Sequence, residues 1–146
     1  MDSRVDKNRM EVVWIMIDID SIMKMLDWNE SSKNQLEGIK LAKEVKAINV
    51  FLRPHDSNNN KNVWYNCAII LSQKDASELR PYYSELLEWL QDMNWPGAAT
   101  IFMKLKGLYS DSIFQLVFDD CKHKAVLLND EIWLSNLLEL ENSSDG

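Results

Sequence analysis

Apolar residues follow a helical period through most of the chain from residue 31 onward. In SSKNQLEGIKLAKEVK, the apolar positions from Leu36 to Val45 recur at steps of three and four residues, with lysine and glutamate between them. This spacing predicts an amphipathic helix, and Ser32 followed by Gln35 has the form of a capping box at its start. The apolar stretch AINVFLRP continues the pattern to Pro54, where the polar sequence HDSNNNKN predicts a loop.

Five further helices are predicted by the same period, with short turns between them. They are NVWYNCAIIL capped by Asn62, SELRPYYSELLEWLQD from near Ser77 to near Met93, GAATIFMKLKG between Asn94 and Gly107, SIFQLVFDDCKHKAVLL from Ser110 or Asp111, and EIWLSNLLELE from Asn129 or Asp130. Pro81 and Pro96 each suit a first helical turn, where a missing N–H costs nothing. The last residues, 142–146, are expected to be a frayed tail.

The first twenty residues do not share this pattern. VVWIMIDID alternates apolar and polar positions with the period of a strand, yet the rest of the chain offers this strand no partner. The stretch MIDIDSIMKMLDWN can also be interpreted as a chain start at Met16 with Asp20 capping a short helix. We therefore expect residues 1–19 to be a peripheral N-terminal extension.

Three tryptophan- and isoleucine-marked segments recur in order in the two halves of the chain. Trp28 and Trp95 lie 67 residues apart, Ile48 and Ile113 lie 65 apart, and Trp64 and Trp133 lie 69 apart. This order predicts one domain, 20–141, made of two roughly 67-residue units at about 20–73 and 75–141. The predicted fold is all-α, a HEAT- or armadillo-like α-solenoid of antiparallel helix pairs, in which stacked pairs bury one another's apolar faces.

The stretch ELLEWLQDMNWPGA, followed about 35 residues later by NDEIWLSNLLE, also carries a resemblance. It resembles the signature of an uncharacterised bacterial family of domains of unknown function, over roughly residues 75–141. The resemblance implies a HEAT-like helical repeat and implies no activity. The helix after Pro96 is poorer in charge than the family pattern. The resemblance therefore does not define the exposed face of this helix.

Composition and charge limit the class of partner. The chain is 46% hydrophobic and 27% charged, with only four glycines and three prolines, which favours a globular protein of long regular elements. Its formal charge of −7 belongs entirely to residues 74–146, which hold six basic and thirteen acidic residues. An acidic half repels phosphate, so nucleic acid is not expected as a partner, and a basic protein surface is. Maintaining solubility is the simpler explanation of the charge.

The sequence predicts a cytoplasmic protein. No apolar run reaches the length of a membrane span, and Asp18 and Asp20 interrupt the only segment that could resemble a secretory signal. Cys67 and Cys121 form no disulfide framework, which suits a reducing compartment. The oligomeric state is left open.

No catalytic or cofactor motif is present. The four glycines cannot make a phosphate loop, and the chain has no G-x-S-x-G, H-E-x-x-H or C-x-x-C sequence. FDDCKHK holds Asp119, Asp120, Cys121 and His123, but on a helix these side chains point in several directions, so no metal site is expected. We expect no cofactor and no enzymatic activity.

The candidate partner-binding residues are acidic and lie on one predicted helix. Glu85, Glu88 and Asp92 share a helix face, with Gln91 beside them. This row is typical of a recognition surface for a basic partner, of a solvated face, or of acid–base catalysis. The favoured hypothesis is a non-enzymatic protein-binding module, in its sharper form an immunity- or antitoxin-like protein. The alternatives are a small-molecule-binding protein or enzyme using the groove between repeats, and a purely structural repeat.

Overall fold

The chain is helical wherever its structure is described. The computed structural model describes residues 18–56 and 59–144, and within these ranges there are helices and turns but no strand. The α-helices are α1 (Ile19–Leu26), α2 (Ser32–Ala42), α3 (Trp64–Ser72), α4 (Ala76–Leu79), α5 (Tyr83–Glu88), α6 (Ala98–Leu108), α7 (Ser112–Leu127) and α8 (Glu131–Ser144), with 3₁₀ turns at Ile48–Phe51, Lys61–Val63, Arg80–Tyr82 and Trp89–Gln91. The prediction of an all-α protein is confirmed.

Most helices begin at a polar residue whose side chain accepts a backbone N–H of the first turn. Asp111 was a predicted start, and its Oδ1 accepts the N–H of Ile113 at 2.9 Å. Other starts differ from the prediction by one or two residues, because α1, α2 and α4 are capped by Asp18, Ser31 and Asp75. Aspartate and serine caps recur along this sequence, so local pattern alone leaves the choice between neighbours open.

The predicted helical continuation to Pro54 is wrong. Helix α2 ends at Ala42, and only a single 3₁₀ turn, Ile48–Phe51, follows before the loop. Ile48 and Phe51 are both buried, and their three-residue spacing places them on one side of a 3₁₀ turn. The apolar residues therefore fill the core without forming a longer helix.

The segment 76–91 is helical but not one regular α-helix. Its predicted start at Ser77 and end near Met93 become Ala76 and Gln91, and the path tightens into 3₁₀ geometry at Arg80–Tyr82. Pro81 explains the change, because it lacks an N–H and its ring crowds the carbonyl four residues earlier.

The turn before α6 differs from the predicted cap. Asn94 lies within the turn, and Gly97 at φ +84° precedes the helix. A Cβ atom at Gly97 would lie 2.6 Å from the Cβ of Ala68 and 2.9 Å from the carbonyl oxygen of Trp64. Glycine is therefore required by both conformation and close packing. Gly107 does not end the helix, which continues to Leu108.

The core joins both halves of the chain. Helix α1 packs on α2, α2 on α3, α3 on α6, α6 and α7 on α8, and α5 on α7. Trp89 and Trp133 are fully buried, and each indole N–H donates a 3.0 Å hydrogen bond, to the carbonyls of Pro96 and Leu87 respectively. These bonds satisfy the polar atom of a large buried side chain.

The predicted ends of the chain are only partly described. Residues 1–17 of the expected extension lie outside the described ranges, and α1 begins at Ile19. At the other end, residues 142–144 continue α8, so the tail predicted there is helical up to Ser144. The hydroxyls of Ser143 and Ser144 donate to the carbonyl of Leu140 at 3.1 and 2.7 Å. None of the described helices is both long enough and apolar enough to cross a membrane.

Candidate interaction surface

The first candidate surface is the predicted acidic row on and after α5. Glu85 is exposed, whereas Glu88 is half-buried and paired within the chain. Its two carboxylate oxygens lie 3.3 Å from Nη2 of Arg53 and 3.4 Å from Nζ of Lys124. Because two cations already pair with Glu88, its carboxylate would contribute less to an ion pair with another protein.

Arg53, which pairs with Glu88, lies in an unusual environment. Its backbone φ is +45°, and its guanidinium lies 5.4 Å from the ring centroid of Trp95. Burial lowers its pKa from the ordinary value, and the charge of Glu88 opposes that shift. Its Nε atom is buried and finds no hydrogen-bond acceptor among the described residues. The Arg53–Glu88 pair therefore links the first half of the chain to α5 and is structural in its present contacts.

The other two members of the row, Gln91 and Asp92, lie in the segment that follows α5. Oδ1 of Asp92 accepts the N–H of Asn94 at 2.8 Å, which closes the turn before Trp95. Gln91 is half-buried at the end of the 3₁₀ turn. The structure therefore does not bring Glu85, Glu88, Gln91 and Asp92 together as one free acidic surface.

The second surface is the outer side of α8, which sequence reasoning missed. We call it the α8 face; it comprises Glu131, Leu134, Ser135, Leu138, Glu139 and Asn142. These residues line a shallow concavity of about 700 Å³ along the helix. Leu138 is 41% exposed, and Ile132 beside the face is 68% exposed. The α8 face is apolar at its centre and acidic at its edge.

A signal for this surface was present in the sequence. No lysine or arginine follows Lys124, whereas five acidic residues do. Leu134 and Leu138 also have helical spacing. They are additional to the buried stripe of this helix, because Trp133, Leu137 and Leu140 already form its core-facing side.

A groove between α6 and α8 is the nearest feature to a small-molecule site. It has a volume of about 420 Å³ and is lined by Met93, Ala99, Phe102, Met103, Asn136 and Glu139. Its amide is engaged, because Nδ2 of Asn136 donates to the carbonyl of Leu90 at 2.7 Å. The lining is mainly apolar, and Glu139 contributes its one carboxylate among the described lining residues.

The two cysteines are buried, whereas the charged residues of the FDDCKHK segment are mostly exposed. Cys67 and Cys121 are free and buried, and burial raises the pKa of both thiols. Next to Cys121, Asp119, Asp120 and His123 are exposed. In the ranges that the structure describes, no group of three or more histidine, cysteine or acidic side chains is placed to hold a metal ion.

Comparison with known proteins identifies a family but no activity. Residues 65–143 match the family model described as domain of unknown function DUF5071. This span begins at α3 and includes both acidic surfaces. No curated protein and no solved structure matches the chain.

Proposed function

The chain belongs to the DUF5071 family of domains of unknown function, and we propose that it is a non-enzymatic helical-repeat module whose α8 face binds a basic protein surface. The proposal has two parts, a two-unit repeat that builds the surface and an acidic, apolar helix face that makes the contact. The predicted row at Glu85 remains the rival location on the same molecule.

Two turns with the same hydrogen bonds support the repeat. Oδ1 of Asp27 accepts the N–H of Asn29 at 2.8 Å, and 65 residues later Oδ1 of Asp92 accepts the N–H of Asn94 at 2.8 Å. In each turn the aspartate carbonyl also accepts the N–H three residues on. Each turn follows a helical segment and leads into an amphipathic helix, α2 or α6.

A second repeated contact links the last helix of each unit to the first. Nδ2 of Asn66, in α3, donates to the carbonyl of Leu26 at 2.7 Å. Nδ2 of Asn136, in α8, donates to the carbonyl of Leu90 at the same distance. Both acceptors lie at the C-terminal end of a helical segment, where carbonyls lack an intrahelical donor.

The order of elements supports the same division. The first unit is α1, α2, the turn Ile48–Phe51 and α3, and the second is the segment 76–91, α6, α7 and α8. In both units the second element packs on the fourth, and the third element also packs on the fourth. The units differ mainly in the third position, which is a single turn in the first and the sixteen-residue α7 in the second.

The exposed chemistry of α8 carries the functional part of the proposal. Leu134 and Leu138 offer apolar area, and Glu131 and Glu139 add negative charge, with no cation on the helix to neutralise them within its own sequence. A partner with apolar side chains ringed by lysine or arginine would bury the leucines and pair the carboxylates. Helical repeat proteins bind by such surface contact.

Affinity capture with single charge reversals tests the proposal. The intact protein, Glu131→Lys, Glu139→Lys and Glu85→Lys are immobilised at equal density and exposed to extract from the native host. We expect basic proteins retained by the parent to be lost from the two α8 variants and kept by Glu85→Lys, since all three change the charge equally. Loss only from Glu85→Lys would place binding on α5. Identical retention by all four proteins would contradict binding through either acidic surface.

A further inference from the structure

Among the described residues, each end of the helix packing lacks a contact that is present in its middle. In the middle, α3 of the first unit packs against α6 of the second. In the proposed repeat, α8 is the counterpart of α3, and α2 is the counterpart of α6. Helix α8 packs mainly on α6, α7 and the turn Trp89–Gln91, and α2 packs mainly on α1 and α3. The described residues supply no further unit at either end.

The two leucines of the α8 face correspond to positions of α3 that the second unit covers. Aligning Asn66 with Asn136 pairs Trp64 with Leu134 and Ala68 with Leu138. Trp64 and Ala68 are buried where Gly97, at the start of α6, approaches them. Leu134 is half-buried and Leu138 is 41% exposed. The two positions that are buried on α3 are thus half-buried and exposed, respectively, on α8.

The opposite end presents matching chemistry on α2. We call this surface the α2 face; it comprises Lys33, Leu36 and Lys40. Leu36 is 67% exposed, and both lysines are exposed one turn away on either side. Residues at i, i+3 and i+7 lie along one side of a helix, and Glu37, exposed one turn from each lysine, leaves this side of α2 with a net positive charge.

The charges of the two ends are opposite. The α8 face has a leucine pair with Glu131 and Glu139, and the α2 face has a leucine with Lys33 and Lys40. A contact between two α8 faces would bring carboxylates together, whereas an α8 face on an α2 face pairs each sign with the other. Complementary surfaces at opposite ends of one chain form a heterologous contact, which extends from molecule to molecule.

We propose that the α8 face of one molecule packs against the α2 face of a second copy, head to tail, and so repeats between molecules the α3–α6 contact within one. This rests on the proposed function and names its basic partner as another copy of this chain. One helix pair buries less area than a standard protein–protein interface, so the association is weak, reversible and dependent on concentration.

Sedimentation velocity over a series of concentrations tests this directly. We expect the parent to sediment faster as concentration rises, and the effect to shrink at high salt, which screens exposed charges. The acidic-end variant Glu131→Lys/Glu139→Lys and the basic-end variant Lys33→Glu/Lys40→Glu should each remain monomeric. An equimolar mixture of the two variants should associate again, because every end then meets an opposite charge. The control Glu78→Lys/Asp120→Lys changes the net charge by the same amount as the acidic-end variant, at positions away from both faces, and should associate like the parent.

Four results would overturn the inference. They are a monomeric parent at every concentration, association that neither end variant abolishes, association that stops at a dimer, and a variant mixture that remains monomeric. Circular dichroism on each variant separates loss of contact from loss of fold. A monomeric parent that still retains a different basic protein through Glu131 and Glu139 would remove self-association and leave the proposed function standing.

Discussion

The side-chain amide of Asn66 donates a 2.7 Å hydrogen bond to the backbone carbonyl of Leu26, which is the last residue of α1. Asn66 is 2% exposed, and its Nδ2 also donates to Oε1 of Gln35 at 3.0 Å. A residue forty positions further along the chain therefore satisfies a helix-end carbonyl that has no donor within its own helix. The pair ties α1, α2 and α3 together.

Replacing Asn66 by alanine should destabilise the fold by about 1–3 kcal/mol, because the buried carbonyl of Leu26 then loses its donor. Denaturant unfolding followed by circular dichroism measures the loss. The control is Asn34→Ala, since Asn34 is exposed and its amide only reaches Glu30. We expect Asn34→Ala to change stability by less than about 0.5 kcal/mol. Equal losses in the two variants would contradict the role of Asn66.

Two glycine substitutions, one just before α6 and one within it, should have opposite effects. Gly97→Ala introduces a Cβ 2.6 Å from the Cβ of Ala68 at a φ of +84°, so strain and overlap together should cost about 2–4 kcal/mol. At Gly107 a Cβ meets nothing within 4 Å, and alanine in a helix should gain up to about 1 kcal/mol. Thermal melts of both variants check the signs. A Gly97→Ala protein as stable as the parent would exclude the tight approach of α3 and α6.

Local features were predictable from the sequence to the extent that they depend on neighbouring residues. The apolar period predicted the helical class, and Asp111 was one of the two predicted starts of α7, since its capping hydrogen bond spans only two residues. The engagement of Glu88 by Arg53 and Lys124 was not predictable, since these residues lie 35 and 36 positions away. From the sequence alone, therefore, no partner for the carboxylate of Glu88 was predicted within the chain.

The proposed repeat was likewise only partly predictable from the sequence. Tryptophans suggested the internal similarity, yet Trp28 is 47% exposed, whereas Trp95 is half-buried and its ring centroid lies 5.6 Å from that of Trp64. The turns instead align at Asp27 and Asp92. In the proposed repeat, the tryptophans indicate the register only approximately, and the hydrogen bonds of the two turns define it more closely.

The half-buried ion pair of Glu88 should contribute more to stability than its exposed neighbour. Glu88→Gln leaves the guanidinium of Arg53, whose side chain is 19% exposed, without a carboxylate, and we expect a loss of about 1–2 kcal/mol. Glu85→Gln, one turn earlier and exposed, should cost less than about 0.5 kcal/mol. Urea unfolding of the two variants provides the comparison. If Glu88→Gln and Glu85→Gln unfold at the same urea concentration, the Arg53–Glu88 ion pair does not contribute to the free energy of unfolding.

Asp111 should make stability depend on pH on the acidic side. Its Oδ2 accepts the hydroxyl of Tyr83 at 2.8 Å and Nε of Arg80 at 3.2 Å, and the bond from Tyr83 is the main reason its pKa lies below the ordinary 3.8. A lowered folded-state pKa stabilises the protein above the ordinary value, and that contribution disappears as pH falls through the folded value.

The Asp111→Asn variant keeps a capping side chain but loses the charge. We expect its melting temperature to be lower than that of the parent at pH 7 and the gap to narrow as the pH is lowered below 4. Asp120→Asn, exposed on the same helix, should melt with the parent at both pH values. A gap for Asp111→Asn that stays constant with pH would show that its charge does not contribute.

The two thiols should react only when the native structure opens. Cys67 and Cys121 are 0% and 2% exposed, and burial raises the pKa of each, so few thiolates are present and none is accessible. Labelling by a disulfide reagent at pH 8 should be slow in the native protein and immediate in denaturant. Ser77→Cys, which places a thiol at an exposed position, provides the rate for an accessible cysteine. Native labelling of Cys121 at that rate would mean that α5 and α7 separate readily, because the Sγ of Cys121 lies 4.0 Å from the hydroxyl of Ser84 between them.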